Sequence, residues 1–232
     1  MVRNIKFVTS NFYHVYNRGV RKSEIFLKNQ DYKRWEKLLY WCNNYNYSYS
    51  RYLSRLFQIK RKGGSVEQLN KLVRMYKLDT PLVEIHAFVE MPNHFHLLLR
   101  QISDGGIAKF MQKLATAYAM YFNLTLDFKG AVFEGSYCVV EMLSDAQLMQ
   151  LFRYIHLNPQ AAGLVDIENL LSYQWSSLSN YCSGSDDNTL TKDFFLGLFK
   201  NSDGLLDFIV SAAVEGDQEL LRDVIMDNDN DS

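Results

Sequence analysis

The sequence predicts an α+β fold, a sheet with helices on one face. That class follows from the order of segments: strand, helix, helical insert, two strands, helix, strand, helix. Short alternating stretches mark the strands, and longer apolar faces at helical spacing mark the helices. The 232 residues, 47% hydrophobic and 22% charged, suffice for a sizeable core and exclude a disordered chain.

In chain order, Phe12 to Tyr16 alternates before Asn17-Arg18-Gly19 and reads as a strand and its turn. Asn29-Gln30-Asp31 caps a helix from Tyr32 to about Asn44, with Trp35, Leu38, Leu39 and Cys42 on one face. The segment at about 44–80 is a helical insertion. It holds Tyr45, Tyr47, Tyr49, Tyr52 and Phe57, the run Lys60-Arg61-Lys62, and a helix from Ser65 to Lys77. Strands follow at Leu82 to Val89 and His94 to Arg100, joined by a turn at Met91-Pro92-Asn93. Asp104-Gly105-Gly106 opens a helix to Phe122, and Ala131 to Met142 reads as a strand or hairpin. A helix from Ser144 to Leu157 is stopped by Asn158-Pro159. The main domain is expected to span residues 1–180. Residues 181–232 form an acidic extension of short helices whose last residues are disordered.

No stretch reaches the roughly 18 apolar residues of a membrane span, and the first residues lack the apolar core of a signal peptide. Cys42, Cys138 and Cys182 are scattered and odd in number, as reduced thiols of a cytoplasm are. The net charge of -1 conceals an asymmetry. Residues 1–80 carry 17 Lys/Arg against 5 Asp/Glu, and residues 164–232 carry 3 against 14. A basic front third is the footprint of a polyanion binder. Aromatics and cations in the insertion suit a platform for unpaired nucleic acid or, equally, a surface helical hairpin packing its tyrosines on the sheet. No phosphate-loop lysine follows Gly105-Gly106, and no Cys-x-x-Cys pair is present.

His94-Phe95-His96 places two imidazoles on one face of a strand, because positions i and i+2 share a face. Such a pair holds a metal ion or is simply exposed and hydrogen-bonded. Tyr154 and Asn158 are four apart on a helix and so share a face. An asparagine carbonyl is a hard oxygen donor suited to Mg²⁺ or Mn²⁺. With the two histidines it makes three ligands and leaves positions for phosphate and water. A tyrosine beside that phosphate is a covalent nucleophile once its proton is lost. The bland alternative makes Tyr154 a packing aromatic and Asn158 a helix stop. His156 faces away from Tyr154 and reads as structural. Tyr118 and Tyr121 read as packing or substrate contacts, His14 as able to approach the site, and His86 as having no visible partner.

Met91-Pro92-Asn93-His94-Phe95-His96-Leu97-Leu98-Leu99, followed by Tyr154-Ile155-His156-Leu157-Asn158-Pro159-Gln160-Ala161-Ala162-Gly163, resembles the single-tyrosine HUH transposases (IS200/IS605-like), most closely the REP-associated tyrosine transposases. Tyr13-His14-Val15-Tyr16-Asn17-Arg18-Gly19, Tyr121-Phe122-Asn123 and Tyr173-Gln174-Trp175-Ser176-Ser177 add to the resemblance, which spans roughly residues 7–180. It implies a ferredoxin-like fold with a central antiparallel sheet and the histidine pair on a central strand. Tyr154 is implied as nucleophile, with His94, His96 and Asn158 as metal ligands. The implied activity is metal-dependent cleavage and strand transfer of single-stranded DNA near hairpins, through a 5′-phosphotyrosine. A DNA-binding regulator without cleavage is the alternative, and a hydrolase using only the histidine pair is a third. Arg18, Lys60, Arg61 and Lys62 are the expected DNA contacts. The family's usual basic residue after Phe133-Glu134-Gly135 is replaced here by Ser136-Tyr137. The resemblance leaves monomer and homodimer both open and places the protein in the bacterial cytoplasm, associated with the nucleoid.

Overall fold

A computed structural model describes residues 6–183 and 188–215. Its sheet has four strands: β1 (Phe12–Arg18), β2 (Val83–Met91), β3 (His94–Gln101) and β4 (Cys138–Glu141). Their spatial order is β2-β3-β1-β4, and every neighbouring pair is antiparallel. Helix α1 (Asn29–Asn44) connects β1 to β2, and α4 (Gly106–Leu126) connects β3 to β4. This is the β-α-β-β-α-β plan of ferredoxin-like folds, as the resemblance implied. The insertion adds α2 (Tyr49–Arg61) and α3 (Glu67–Arg74) between α1 and β2.

Strand alternation divides the interior into two cores. On one face Tyr13, Val15, Phe95, Leu97 and Leu99 meet Trp35, Leu38 and Leu39 of α1 and Phe110, Met111 and Leu114 of α4. On the other face Ala87, Val89 and Leu98 meet Leu151, Phe152 and Ile155 of α5 (Asp145–Ala161). Helices therefore cover both faces of the sheet, not one as the element order suggested. The second apolar face of β2 and β3 requires a second cover, and α5 provides it. α6 (Leu178–Cys182), α7 (Asp193–Leu196) and α8 (Ser202–Glu215) extend that layer. Phe195 stacks on Phe152 at 4.0 Å, Leu205 and Ile209 are fully buried, and the Arg153 guanidinium lies 4.0 Å from the Phe208 ring centre. The expected disorder of the last residues lies outside the described residues.

Local chemistry fixes the element ends. The Asp31 carboxylate accepts from the backbone N–H of Leu27 and Lys28 at 3.0 and 3.1 Å, so α1 starts at Asn29, earlier than expected. Ser144 caps α5 by accepting from Gln147 N–H at 3.2 Å. Pro159 does not stop α5, which continues to Ala161. A proline this near the C-terminus forfeits only one helical hydrogen bond. The chain turns instead at Gly163, whose φ of 69° suits glycine. There Leu164 N–H bonds to Pro159 O and Gly163 N–H to Gln160 O, a Schellman closure. Of the segment expected as a strand or hairpin at Ala131 to Met142, only Cys138–Glu141 is a strand; Phe133 makes a single bridge to Gly19. The open edge of β2 is covered by residues 175–177, with Glu90 N–H to Trp175 O at 2.9 Å and Ser177 N–H to Phe88 O at 3.0 Å. No helix among the described residues is long and apolar enough to cross a membrane.

Glu90 is fully buried beneath that edge strap, on the α1 side of the sheet. Desolvation, followed by the charge of Glu36, raises its carboxyl well above 4.5, so the folded protein holds this proton to higher pH than the unfolded chain does. The unfolded chain releases that proton above about pH 4.5. Each further pH unit then costs the fold up to about 1.4 kcal/mol, until the folded pKa is passed. Glu90→Gln is therefore expected to stabilise the protein more at pH 7 than at pH 5, as read from urea denaturation. An effect equal at the two pH values would contradict this protonation state.

Candidate active site

β3 presents His94 and His96 on the α5 face, and Phe95 enters the opposite core 4.5 Å from the Trp35 ring. The register with β1 sets Arg18 opposite His94 and Tyr16 opposite His96. From the other side α5 brings Tyr154 and Asn158. The Tyr154 ring centre is 5.3 Å from that of His96, and Asn158 Oδ1 is 3.3 Å from His94 Nε2. The four residues singled out in the sequence thus converge from a strand and a helix 64 residues apart, counted between His94 and Asn158.

Orientation within the group follows from hydrogen-bond chemistry. Asn93 Nδ2 donates to Lys22 O at 3.3 Å, so its Oδ1 faces His94 Nδ1, 2.6 Å away. An amide oxygen only accepts, hence Nδ1 of neutral His94 carries the proton. Nε2 then directs its lone pair at Asn158 Oδ1, another acceptor. Two acceptors facing each other at this distance are reconciled by a proton, as in imidazolium, or by a metal cation between them. The donor chemistry therefore fits a divalent ion held by His94, His96 and Asn158, with Asn93 orienting the first ligand from behind. Among the described residues no cluster of three His, Cys, Asp or Glu forms a metal site; the third donor here is an amide.

His14 Nε2 lies 2.8 Å from His96 Nδ1, which leaves Nε2 as the His96 nitrogen for a metal. The His14 ring also stacks on Tyr16 at 4.7 Å and meets Tyr154 edge-on at 6.2 Å. Burial first, then the neighbouring charges of His14 and His94, lowers the His96 pKa well below 6.5 and keeps the imidazole in its ligand-competent neutral form. A cleft of about 240 Å³ opens on the pair, lined by Tyr16, Asn17, Arg18, His94, His96, Glu134 and Cys138. Arg18 forms an ion pair with Glu134 at this cleft.

Other expected residues lie elsewhere. Lys60, Arg61 and Lys62 sit at the end of α2 and the following turn. That helix packs beside α1 and α4, in the layer on the opposite face of the sheet. His156 faces away from the site, buried, with Nε2 2.8 Å from Ser177 Oγ; burial lowers its pKa to about 3. Tyr118 donates to Ile25 O at 2.5 Å and Tyr121 to Asp31 Oδ1 at 2.7 Å, both in the α1–α4 layer. His86 does have a partner: Glu84 Oε2 lies 3.4 Å from its Nε2. Sequence reasoning passed over Asn93, Tyr16 and Glu134. The alternation of β1 could have marked Tyr16, since it shares a face with His14. Asn93 and Glu134 lie in turns whose contacts no periodicity reveals.

An antiparallel sheet carrying a histidine pair is closed here by a helix bearing tyrosine and asparagine. Residues 62–158 match the family model described as IS200-like transposase. No curated protein matches. The chain is similar in fold to a REP-associated tyrosine transposase solved with a REP hairpin. Identity is 12% and the TM-score 0.50, with 83% of this chain and 98% of that one covered. A Deinococcus radiodurans protein described as a candidate transposase shares 18% identity at a TM-score of 0.34, covering 67% of this chain and 95% of its own.

The His94 tautomer is open to direct measurement. In metal-free protein near pH 8, ¹⁵N NMR is expected to show the proton on Nδ1. A proton on Nε2 would contradict the orienting role of Asn93.

Proposed function

We propose that this chain is a transposase that cuts and rejoins single-stranded DNA at hairpin-forming repeats. Tyr154 is the nucleophile, and His94, His96 and Asn158 are ligands of a Mg²⁺ or Mn²⁺ ion. The observation that carries this reading is the convergence of α5 on β3, which sets Tyr154 against His96 and Asn158 against His94. The REP hairpin bound by the structural relative supports hairpin DNA as the substrate class.

The chain's own residues supply attack and positioning. Tyr154 Oη gives up its proton and bonds to phosphorus. The bond from phosphorus to the 3′ oxygen breaks, and that oxygen takes a proton and leaves as a 3′-OH. The 5′ phosphate stays on Tyr154, so the ester retains the bond energy and another 3′-OH can reverse the step. A tyrosine hydroxyl with an ordinary pKa of about 10 needs a nearby positive field to ionise at neutral pH. A bound divalent ion supplies that field and Lewis-acid polarisation of the scissile phosphate. Asn93 and His14 hold the two imidazoles in the required orientation. Arg18, at the mouth of the cleft, exchanges Glu134 for a DNA phosphate. Lys60, Arg61 and Lys62 track the strand away from the cleft, where the insertion lies.

Incubation with labelled hairpin DNA and Mn²⁺ is expected to give a protein–DNA adduct that survives denaturation. Tyr154→Phe abolishes it, and His94→Ala or His96→Ala abolishes it while leaving most DNA binding. Cleavage that persists in Tyr154→Phe overturns the mechanism. Tight hairpin binding by the unmodified protein with no adduct favours the non-catalytic regulator.

A further inference from the structure

A second cavity lies away from the histidine pair, where the insertion meets α1, Phe88 of β2 and Asn180. Its volume is about 580 Å³, and its lining includes Tyr40, Trp41, Tyr49, Tyr52 and Lys37. We propose that this cavity is a second DNA-binding site, which takes an unpaired nucleobase of single-stranded DNA between its aromatic rings. The proposal rests on the transposase reading only in taking DNA as the ligand; it does not depend on the chemistry at Tyr154.

The insertion makes the cavity. Trp41 lies in the last turn of α1, its indole N–H donating to Tyr47 O at 2.5 Å, which fixes the ring plane. Tyr45 stacks on one part of that indole at 4.6 Å and 24°, while Tyr52 and Tyr49 approach it at 4.8 and 5.1 Å. Tyr47 is buried with Leu69 and Val73 and anchors the insertion's own small core. Tyr40, Trp41, Tyr49 and Tyr52 are by contrast only partly buried and line the space. The rings are rigid, held from behind and open in front. That arrangement gains affinity by stacking on any base, since every base has a π-face.

Charge decides between occupants. Residues 44–80 carry 8 Lys/Arg and 2 Asp/Glu. Lys33 and Lys37 are exposed one turn apart on α1, with Lys37 at the cavity itself. Arg34 is clamped between Tyr49 and Tyr121, 5.0 and 4.6 Å from their ring centres. These cations suit a backbone of phosphates running past the opening. Glu36, also on the lining, repels a phosphate from the interior. A polyanion with flat uncharged rings matches both features; an acidic peptide matches only the first.

The test is titration of the whole protein with a short unstructured mixed-sequence DNA oligonucleotide, followed by tryptophan fluorescence. Trp35 and Trp175 are buried, so the difference between wild type and Trp41→Phe isolates the cavity signal. Wild type is expected to show quenching that Trp41→Phe loses. Tyr40→Ala and Tyr52→Ala are expected to weaken binding about tenfold each, the order expected for losing one stacked base, while Tyr40→Phe restores it. Thermal melts of each variant establish that the fold persists. Polyphosphate, which has the charge without the bases, is expected not to quench. Wild-type affinity in both alanine variants, or equal quenching by polyphosphate, overturns the proposal. A wild-type protein that shows the quenching yet forms no Tyr154 adduct refutes the cleavage mechanism and leaves this site standing.

Discussion

Between His94 and Leu99, each side chain of β3 points to the face opposite its neighbours, and both faces are covered. Phe95, Leu97 and Leu99 are committed to the core under α1 and α4, so His94 and His96 are held against the other layer with no freedom to rotate away. A slip of one residue in the pairing with β1 or β2 would bury the imidazoles among Trp35 and Phe110 and move three large apolar side chains to the α5 face. The apolar face thus enforces the register, and the register sets the positions of the histidines.

The second layer depends on that arrangement. α5 lies on Ala87, Val89 and Leu98, and its own apolar face of Leu148, Leu151, Phe152 and Ile155 fixes its rotation. Ile155 and His156 point inward, which turns Tyr154 and Asn158 toward the end of the sheet where the histidines emerge. The His156 to Ser177 contact ties the helix to the strap on β2. Continuation of α5 through Pro159 matters here. Had the helix ended at Leu157, Asn158 would have lost the geometry that keeps it one turn from Tyr154.

Much of this was legible in the sequence. The i, i+2 histidines and the i, i+4 tyrosine and asparagine marked both halves of the candidate site, because each half is a local periodicity. The apolar stripe of Trp35, Leu38, Leu39 and Cys42 predicted the buried face of α1. Contacts between turns and strands were not legible. The bond from Asn93 to Lys22 O and the pairing of His14 with His96 depend on segments distant in the chain. Coverage of both sheet faces was missed because element order gives no side for a final helix. The start of α1 was misplaced because Asp31 caps from inside the helix, accepting back to Lys28 and Leu27. Its buried position made the difference.

The central claim is that β3 and α5 close one cation site with an amide as third donor. Anomalous diffraction at the manganese edge, from crystals soaked in Mn²⁺, tests it most directly. The account predicts a peak between His94 Nε2, His96 Nε2 and Asn158 Oδ1. A protein that takes up no ion between β3 and α5 at saturating Mn²⁺, or binds it through other residues, would contradict it.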